Sequence, residues 1–203
     1  REENDYFYLY EFNDFTPILS ADNLSFYRVF DTKYKLIIHN LKTKTDLSFL
    51  TSFHEGWNLY LTKDFSDDRC RHLPVKNYIY EGKDITECSN KRKPFMGEEL
   101  SYLWRKPIFS DTHSVVYDYA NQWTIDSEYI RQNFDSNYYR ENPDGSIDVQ
   151  MILYFKPQSY FYLGLFISGV TLLSCLGYLS WNLIRRYKQG KLTNKVIEEI
   201  YVK

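Results

Sequence analysis

Three tryptophans and a few polar residues are the side chains in this chain whose types could do chemistry. An indole offers a flat apolar face with an N–H group at its edge, while carboxylates and amides orient hydroxyl groups. In combination they predict a shallow binding site that stacks on sugar rings. Its candidate residues are Trp57, Trp104, Trp123, Asn121, Asp118 and Glu55.

The same tryptophans have a second interpretation, in which they fill a hydrophobic core. Trp57 and Trp123 begin or end predicted strands, and for these two we favour the core. Trp104 lies in an irregular segment beside Arg105 and Lys106, where both interpretations stay open.

Catalytic chemistry finds little support in the sequence. The histidines are His39, His54, His72 and His113. They are scattered, and none has the second histidine at helical spacing that a zinc-binding helix needs. We therefore predict no catalytic residue, no metal site and no cofactor.

An uncharged stretch near the C-terminus predicts a transmembrane helix over residues 157–184. As a helix it would reach about 40 Å, more than the ~30 Å hydrocarbon core of a bilayer. Arg185 and Arg186 follow at once, so the positive-inside rule predicts that residues 185–203 form a short basic cytoplasmic tail. Residues 1–156 would then be an extracytoplasmic domain at the plasma membrane, with the lipid bilayer as its first partner.

A line of small and weakly polar residues runs along this predicted helix. Gly164, Ser168, Thr171 and Cys175 recur at alternating spacings of four and three. In lipid, such residues let a second helix approach closely and supply hydrogen bonds. We expect packing against other transmembrane helices, of the same or another chain. A lone anchor that carries these residues by chance is the alternative.

The charge balance argues against nucleic acid as a partner. The chain has a formal net charge of −2 at pH 7, and its C-terminal tail is basic. Residues 1–156 are therefore mildly acidic, and such a domain does not attract a polyanion along its whole surface.

Period-two alternation predicts a mainly β domain before the helix. Apolar residues alternate with polar ones over residues 146–155, as in a half-buried strand. Similar runs occur at 34–40, 46–53, 57–62 and 114–125. With turn residues between these runs, we predict an antiparallel, jelly-roll-like β-sandwich.

Two segments interrupt the strand pattern. Residues 63–110 are predicted as an irregular insertion, stapled by a disulfide between Cys70 and Cys88 because an oxidising exterior permits the bond. Residues 127–141 predict a short helix and a loop, with Asp126 or Ser127 as the N-cap.

Three segments resemble a known family. Residues 52–60, Ser-Phe-His-Glu-Gly-Trp-Asn-Leu-Tyr, resemble the Ser-x-x-x-Gly-Trp segment in the C-terminal extracytoplasmic region of YfhO-like and related large bacterial membrane proteins. Residues 119–126, Tyr-Ala-Asn-Gln-Trp-Thr-Ile-Asp, resemble their Tyr-Ala-Asn-Gly-Trp segment, with Gln122 in place of the usual glycine. Residues 154–168 resemble the strand that runs straight into their last membrane helix.

The resemblance implies a multi-pass membrane glycosyltransferase of the GT-C type, which passes a sugar from a polyprenyl-phosphate donor to a cell-envelope acceptor. In such proteins the catalytic acid lies in an early extracytoplasmic loop, to which no part of this chain corresponds. The chain would be their C-terminal accessory domain and last helix, contacting a lipid-linked glycan acceptor or stabilising the helix bundle.

The alternative is a single-pass, membrane-anchored β-sandwich that binds a glycan or a protein partner without catalysis. Many hydrophobic segments encoded before Arg1 would support the first hypothesis. A single signal peptide there would support the second.

Overall fold

The computed structural model describes residues 17–63, 75–80, 82–88 and 96–201 of the 203-residue chain. Within these ranges, the side chains of residues 75, 78, 80, 88, 96 and 190–201 are not described. The strands are β1 Leu19–Ser20, β2 Leu24–Phe30, β3 Lys33–Leu41, β4 Lys44–Phe49, β5 Trp57–Leu61, β6 Val75–Tyr80, β7 Lys83–Cys88, β8 Ser114–Val116, β9 Ala120–Asp126, β10 Tyr139–Glu141 and β11 Ile147–Phe155. The helices are α1 Met96–Ser101, α2 Ser127–Asn133 and α3 Pro157–Tyr201.

The strands form two sheets that lie face to face. One sheet has the order β1-β4-β9-β8, and the other has the order β10-β11-β3-β2-β7-β6, with β5 also pairing with β11. The pairs are antiparallel except for β2 with β7, which is parallel. The predicted mainly β domain with sandwich-like sheets is confirmed, and its jelly-roll-like character stays a prediction.

The core between the sheets explains why these segments are strands. Ile147, Val149, Met151 and Leu153 of β11 all face it and are fully buried. Such side chains each contribute about 1.5–3 kcal/mol on burial. We call this side of the larger sheet its inner face.

The other side of the larger sheet, its outer face, is also covered around β11. Ile152 and Tyr154 point away from the core, yet they are 9% and 0% exposed. They pack with Tyr60 and Tyr102 in a second cluster. The prediction that β11 is only half-buried is therefore wrong, because the segment that includes α1 folds back over this end of the sheet.

The predicted short helix after β9 is confirmed as α2. The Asp126 carboxylate accepts hydrogen bonds from the amide N–H groups of Glu128 and Tyr129, at 2.9 and 3.4 Å. Asp126 is thus the N-cap, which satisfies amides that have no partner inside the first helical turn.

Two strand predictions need correction. Residues 114–125 are not one strand but the hairpin β8–β9, because Tyr117 and Asp118 turn the chain with φ values of 52° and 64°. The predicted irregular insertion over residues 63–110 contains a regular hairpin, β6–β7, which turns at Gly82 with φ 78°. β7 joins the larger sheet through β2, and α1 follows it.

The C-terminal helix differs from its predicted length. α3 runs without interruption from Pro157 to Tyr201, so most of the predicted basic tail over 185–203 is helical. Its segment Pro157–Gln189 is long and apolar enough to cross a membrane, judged by length and composition, and the most apolar 18 residues within it are not buried against the rest of the chain. An apolar C-terminal helix is therefore confirmed, while the side of the membrane on which each end lies is not shown.

The predicted disulfide falls outside the described part of the chain. Cys70 lies outside the described residues, and so does the side chain of Cys88. The pairing stays a prediction.

Candidate functional site

Two of the three tryptophans proposed as ligand platforms lie in the core. Trp123 is 1% exposed, and Trp57 is 8% exposed with its ring edge-to-face against Phe49 at 4.7 Å. The structure therefore supports the core interpretation for both, and neither indole offers a face to a ligand.

Asn121, proposed to orient ligand hydroxyls, instead holds a loop in place through its hydrogen bonds. It is fully buried, its Oδ1 accepts from the amide N–H of His54 at 3.2 Å, and its Nδ2 donates to the carbonyl of Thr51 at 3.0 Å. His113 Nε2 lies 3.0 Å from the same Oδ1, and burial lowers the pKa of His113. These contacts hold the loop between β4 and β5 against the smaller sheet, so the amide is not available to a ligand.

The remaining candidates are exposed and lie on separate loops and turns. Glu55 and Asp118 are exposed on two turns, which meet where the Phe53 amide N–H donates to the Tyr119 carbonyl at 2.6 Å. Trp104 is 77% exposed and follows α1.

Several hydrogen bonds instead join the sandwich to the start of α3, at a place we call the junction. The amide N–H of Lys156 donates to the carbonyl of Gly56 at 2.8 Å. Ser159 Oγ donates to the carbonyl of Glu99 at 2.7 Å and lies 3.0 Å from Tyr154 Oη. Because these bonds come from β11, the β4–β5 loop and α1, they hold the first turn of α3 from several sides.

Gly56 is required at the junction by close approach rather than by its backbone conformation. A Cβ atom at this position would lie 2.7 Å from both Cδ and Cγ of Pro157, and 2.8 Å from His54 Nδ1. The proline ring is rigid, so only a glycine lets the loop pass this close to the start of α3.

A buried ion pair lies beside the junction on the outer face. Lys33 Nζ is 2.6 Å from Glu98 and 3.1 Å from Glu99, and the Lys33 and Glu99 side chains are 4% and 1% exposed. Burial raises the pKa of Glu99, although Lys33 partly opposes the shift. Burial also acts to lower the pKa of Lys33, but Tyr102 and the two glutamates raise it by more.

A groove beside β5 gathers three cations, and we call it the basic groove. Lys63, Arg105 and Lys106 line it, its volume is about 440 Å³, and no carboxylate is among its lining residues in the described chain. It is bounded by Tyr60, Leu61, Thr62, Ile108, Phe134 and Tyr138. The segment carrying the cations is held against β5 because the Ile108 amide N–H donates to the Leu59 carbonyl at 2.8 Å.

Aromatic rings hold two of these cations in place. Lys63 Nζ lies 4.8 Å from the ring centre of Tyr138, and Arg105 Cζ lies 4.7 Å from that of Tyr102. Cation–π contacts of this length stabilise the side-chain positions. These two contacts therefore favour positions along the groove for Lys63 and Arg105 before any ligand arrives.

Tyr60 of β5 also lines the groove, but its hydroxyl is buried. Tyr60 is 2% exposed, and its Oη has no hydrogen-bond partner among the described residues. Burial raises the pKa of Tyr60 to about 12, against the opposing effect of Arg105. The hydroxyl thus keeps its proton at neutral pH.

A serine, a histidine and an aspartate also meet at the other end of the outer face. Ser25 Oγ lies 3.0 Å from His39 Nε2, but His39 Nδ1 is 3.9 Å from Asp148 Oδ2, too long for a hydrogen bond. The Asn40 amide N–H already donates to Asp148 Oδ1, and that of His39 to the Asn23 carbonyl. Those two amides cannot stabilise an oxyanion, and we assign this cluster no catalytic role.

The proposed helix-packing residues are exposed on α3. Gly164, Ser168, Thr171 and Cys175 contact no other described element, and the Thr171 hydroxyl donates to the Ile167 carbonyl at 2.9 Å. Their role in packing against other helices stays a prediction.

Sequence reasoning predicted that a strand runs straight into the last helix, but it missed the contacts at the junction and the basic groove. Lys33 pairs with Glu99, and Lys63 lines the same groove as Arg105, across long stretches of chain that no spacing rule connects. The adjacent pair Arg105 and Lys106 beside Trp104 was the only local sign of the groove.

Compared with known protein families, with curated proteins and with solved structures, the chain gives no match.

Proposed function

We propose that this chain is a non-catalytic, membrane-anchored β-sandwich that α3 holds in one orientation at the outer surface of the plasma membrane. The junction is the observation that carries the proposal. β11 ends at Phe155 and α3 begins at Pro157, with Lys156 and Ser159 both hydrogen-bonded to the domain. A domain mounted without a flexible linker keeps a fixed direction relative to its anchor.

Exposed aromatic side chains near the start of α3 support a position at the lipid surface. Trp104, Tyr160 and Phe161 are 77%, 58% and 61% exposed. Tryptophan and tyrosine favour the membrane–water interface, where one part of the ring is apolar and another is wet. The basic residues after Ile184 favour a cytoplasmic C-terminus and hence an extracytoplasmic sandwich.

In the setting that the sequence resemblance suggests, the domain is the C-terminal accessory part of a multi-pass glycosyltransferase. It would contact a glycan or lipid-linked glycan acceptor while its small-residue stripe packs against neighbouring helices. The exposed stripe on α3 supports this setting.

A second candidate is a single-pass binding protein without a neighbouring helix bundle. The basic groove favours it, because a formed groove can bind a ligand wherever the domain is anchored.

Labelling of intact cells tests the proposed orientation. A cysteine replacing the exposed Lys42 should react with a membrane-impermeant maleimide, and a cysteine replacing Lys195 should react only after lysis. Each is read against a parent with Cys175→Ser, in which Cys70 and Cys88 react only after reduction if they form the predicted disulfide. The reverse pattern for Lys42 and Lys195 would overturn the proposal.

Photo-crosslinking in the membrane separates the accessory domain from the lone anchor. A photoreactive residue at Gly164 should capture another membrane protein, whereas one at Leu173, on the opposite side of the helix, should not. Equal capture at both positions, or capture at neither, would favour the single-pass protein.

A further inference from the structure

We infer that the basic groove binds an anionic saccharide, a sugar chain that carries carboxylate or phosphate groups. This inference rests on the proposed function and names the class of ligand that the domain would take. Lys63, Arg105 and Lys106 supply positive charge, and the volume of about 440 Å³ lies within the usual range of ligand sites.

The donors in the groove suit an anion. Arginine and lysine form charge-assisted hydrogen bonds to carboxylate and phosphate oxygens, which are stronger than neutral ones. The lining has no carboxylate, among the described residues, that would neutralise the cations or repel such a ligand.

Two cations of the basic groove contact aromatic rings, and these contacts distinguish the groove from a chance collection of surface charges. Lys63 is stacked on Tyr138, and Arg105 on Tyr102. A long basic side chain loses rotamer freedom when it meets an anion, and the contacts with Tyr138 and Tyr102 reduce that loss.

The walls of the groove select for sugar rings. Phe134 and Tyr138, both half-buried, place aromatic surface between the charged groups. A saccharide presents apolar ring faces and polar groups in turn, and the groove offers aromatic surface and charged donors to match them.

The direction of the groove argues against a phospholipid headgroup. β5 runs antiparallel to β11, so it leads away from the start of α3. From Trp57 to Leu61 the strand rises about 13 Å, and Lys63 lies beyond its end. Headgroups would gather at the start of α3, whereas a chain of sugars reaches both Arg105 and Lys63.

The experiment uses the full chain in nanodiscs of zwitterionic phosphatidylcholine. The first step is an array of carboxylated and phosphorylated oligosaccharides, each beside its neutral parent. We expect the anionic forms to bind and their neutral parents to bind about tenfold more weakly or not at all, because charge-assisted contacts would carry the affinity.

The second step titrates the strongest array ligand against two charge-matched variants. Lys63→Gln, Arg105→Gln and Lys106→Gln together should weaken binding about tenfold or more. The control combines Lys42→Gln, Lys44→Gln and Lys76→Gln, at exposed sites outside the groove, and should change binding less than about twofold. Circular dichroism and thermal unfolding check that both variants keep the fold.

Each outcome of these experiments supports or overturns the proposed saccharide site. Equal binding of neutral parents, or an equal loss in the control variant, would overturn it and leave the membrane-anchored binding domain standing. Competition by phosphatidylserine nanodiscs as strong as that of the glycan would also overturn it, in favour of a lipid headgroup. Binding to no glycan at all would overturn both the inference and a glycan-binding role, while the orientation shown by maleimide labelling would be unaffected.

Discussion

The two faces of the larger sheet are buried by different kinds of contact. On the inner face, Met151 and Leu153 meet apolar side chains of the smaller sheet. On the outer face, Tyr154 meets Ser159, while Lys33 meets Glu99 from α1. Apolar burial stabilises without specifying direction, whereas hydrogen bonds and ion pairs require one geometry. The inner face thus stabilises the sandwich, and the outer face orients α1 and α3 upon it.

The ion pair is better understood as a positioning contact than as a source of stability. Burying two charges costs much of what their attraction returns, and apolar replacements of similar volume are often as stable. The buried ion pair between Lys33 and Glu99 therefore serves to fix the position of α1 relative to β3.

The largest expected effect comes from the inner face. Met151→Ala should lower the free energy of unfolding by about 2–5 kcal/mol, because a fully buried side chain leaves a cavity. Chemical denaturation of the full chain in detergent micelles measures it. A loss below about 1 kcal/mol would mean that the core at β11 is not closely packed.

Breaking the ion pair on the outer face should lower the free energy of unfolding somewhat less, and its effect should be concentrated at α1. Glu99→Ala leaves the buried Lys33 with Glu98 alone and should destabilise by about 3 kcal/mol. The double variant Lys33→Met with Glu99→Leu should recover most of that loss, since no buried charge then lacks its partner. Hydrogen exchange of the α1 amides should rise in the single variant and stay raised in the double one, because the apolar pair restores stability without fixing the geometry. Exchange in the double variant as slow as in the unaltered chain would contradict the positioning role.

The junction can be tested without altering either face. Gly56→Ala forces a Cβ against Pro157 and should destabilise by about 1–3 kcal/mol. Gly169→Ala is the control, because a Cβ there meets nothing within 4 Å. If both variants unfold alike, the loop does not press against α3.

Substitutions in the small-residue stripe of α3 should have a smaller effect, and on association with other helices rather than on folding. Gly164→Leu with Ser168→Leu should weaken pairing with neighbouring helices by about 1–2 kcal/mol if these residues form an interface. Fluorescence energy transfer between labelled chains in bilayers measures this. Unchanged association would leave α3 as a plain anchor.

The smallest effect is a pH dependence of the outer face. Burial raises the pKa of folded Glu99 above its ordinary 4.5, so the folded state holds this proton more tightly than the unfolded chain. The stability it contributes is full below pH 4.5 and is lost as the pH rises through the folded pKa. Glu99→Gln should flatten that decline in unfolding free energy between acidic and neutral pH. If the unfolding free energies of the two proteins change with pH in the same way, the pKa of Glu99 does not differ between the folded and the unfolded chain.

The sequence predicted what depends on local periodicity. β3, β4, β5 and β11 follow from alternation, α2 follows from the cap at Asp126, and the apolar helix follows from its composition. These features arise from neighbours along the chain, which spacing rules describe.

What could not be predicted depends on distant or unusual contacts. The cover on the outer face comes from α1 and Tyr102, far along the chain from Lys33. The β8–β9 turn uses Tyr117 and Asp118 at positive φ, without the glycine that usually marks such a turn. The structural role of Asn121 could not be predicted for the same reason, because its burial depends on which strands face each other, whereas the core position favoured for Trp123 is supported by its burial.

The fixed mounting of the sandwich on α3 is tested most directly by a distance measurement in nanodiscs. Spin labels on ketone-bearing non-canonical residues would replace the exposed Lys42, at the far end of the domain, and the exposed Leu173 of α3. Double electron–electron resonance should give one narrow distance distribution, which broadens when Gly-Ser-Gly-Ser is inserted between Lys156 and Pro157. A broad distribution in the unaltered chain, unchanged by the insertion, would show that the domain swings freely on its anchor and would contradict the central claim.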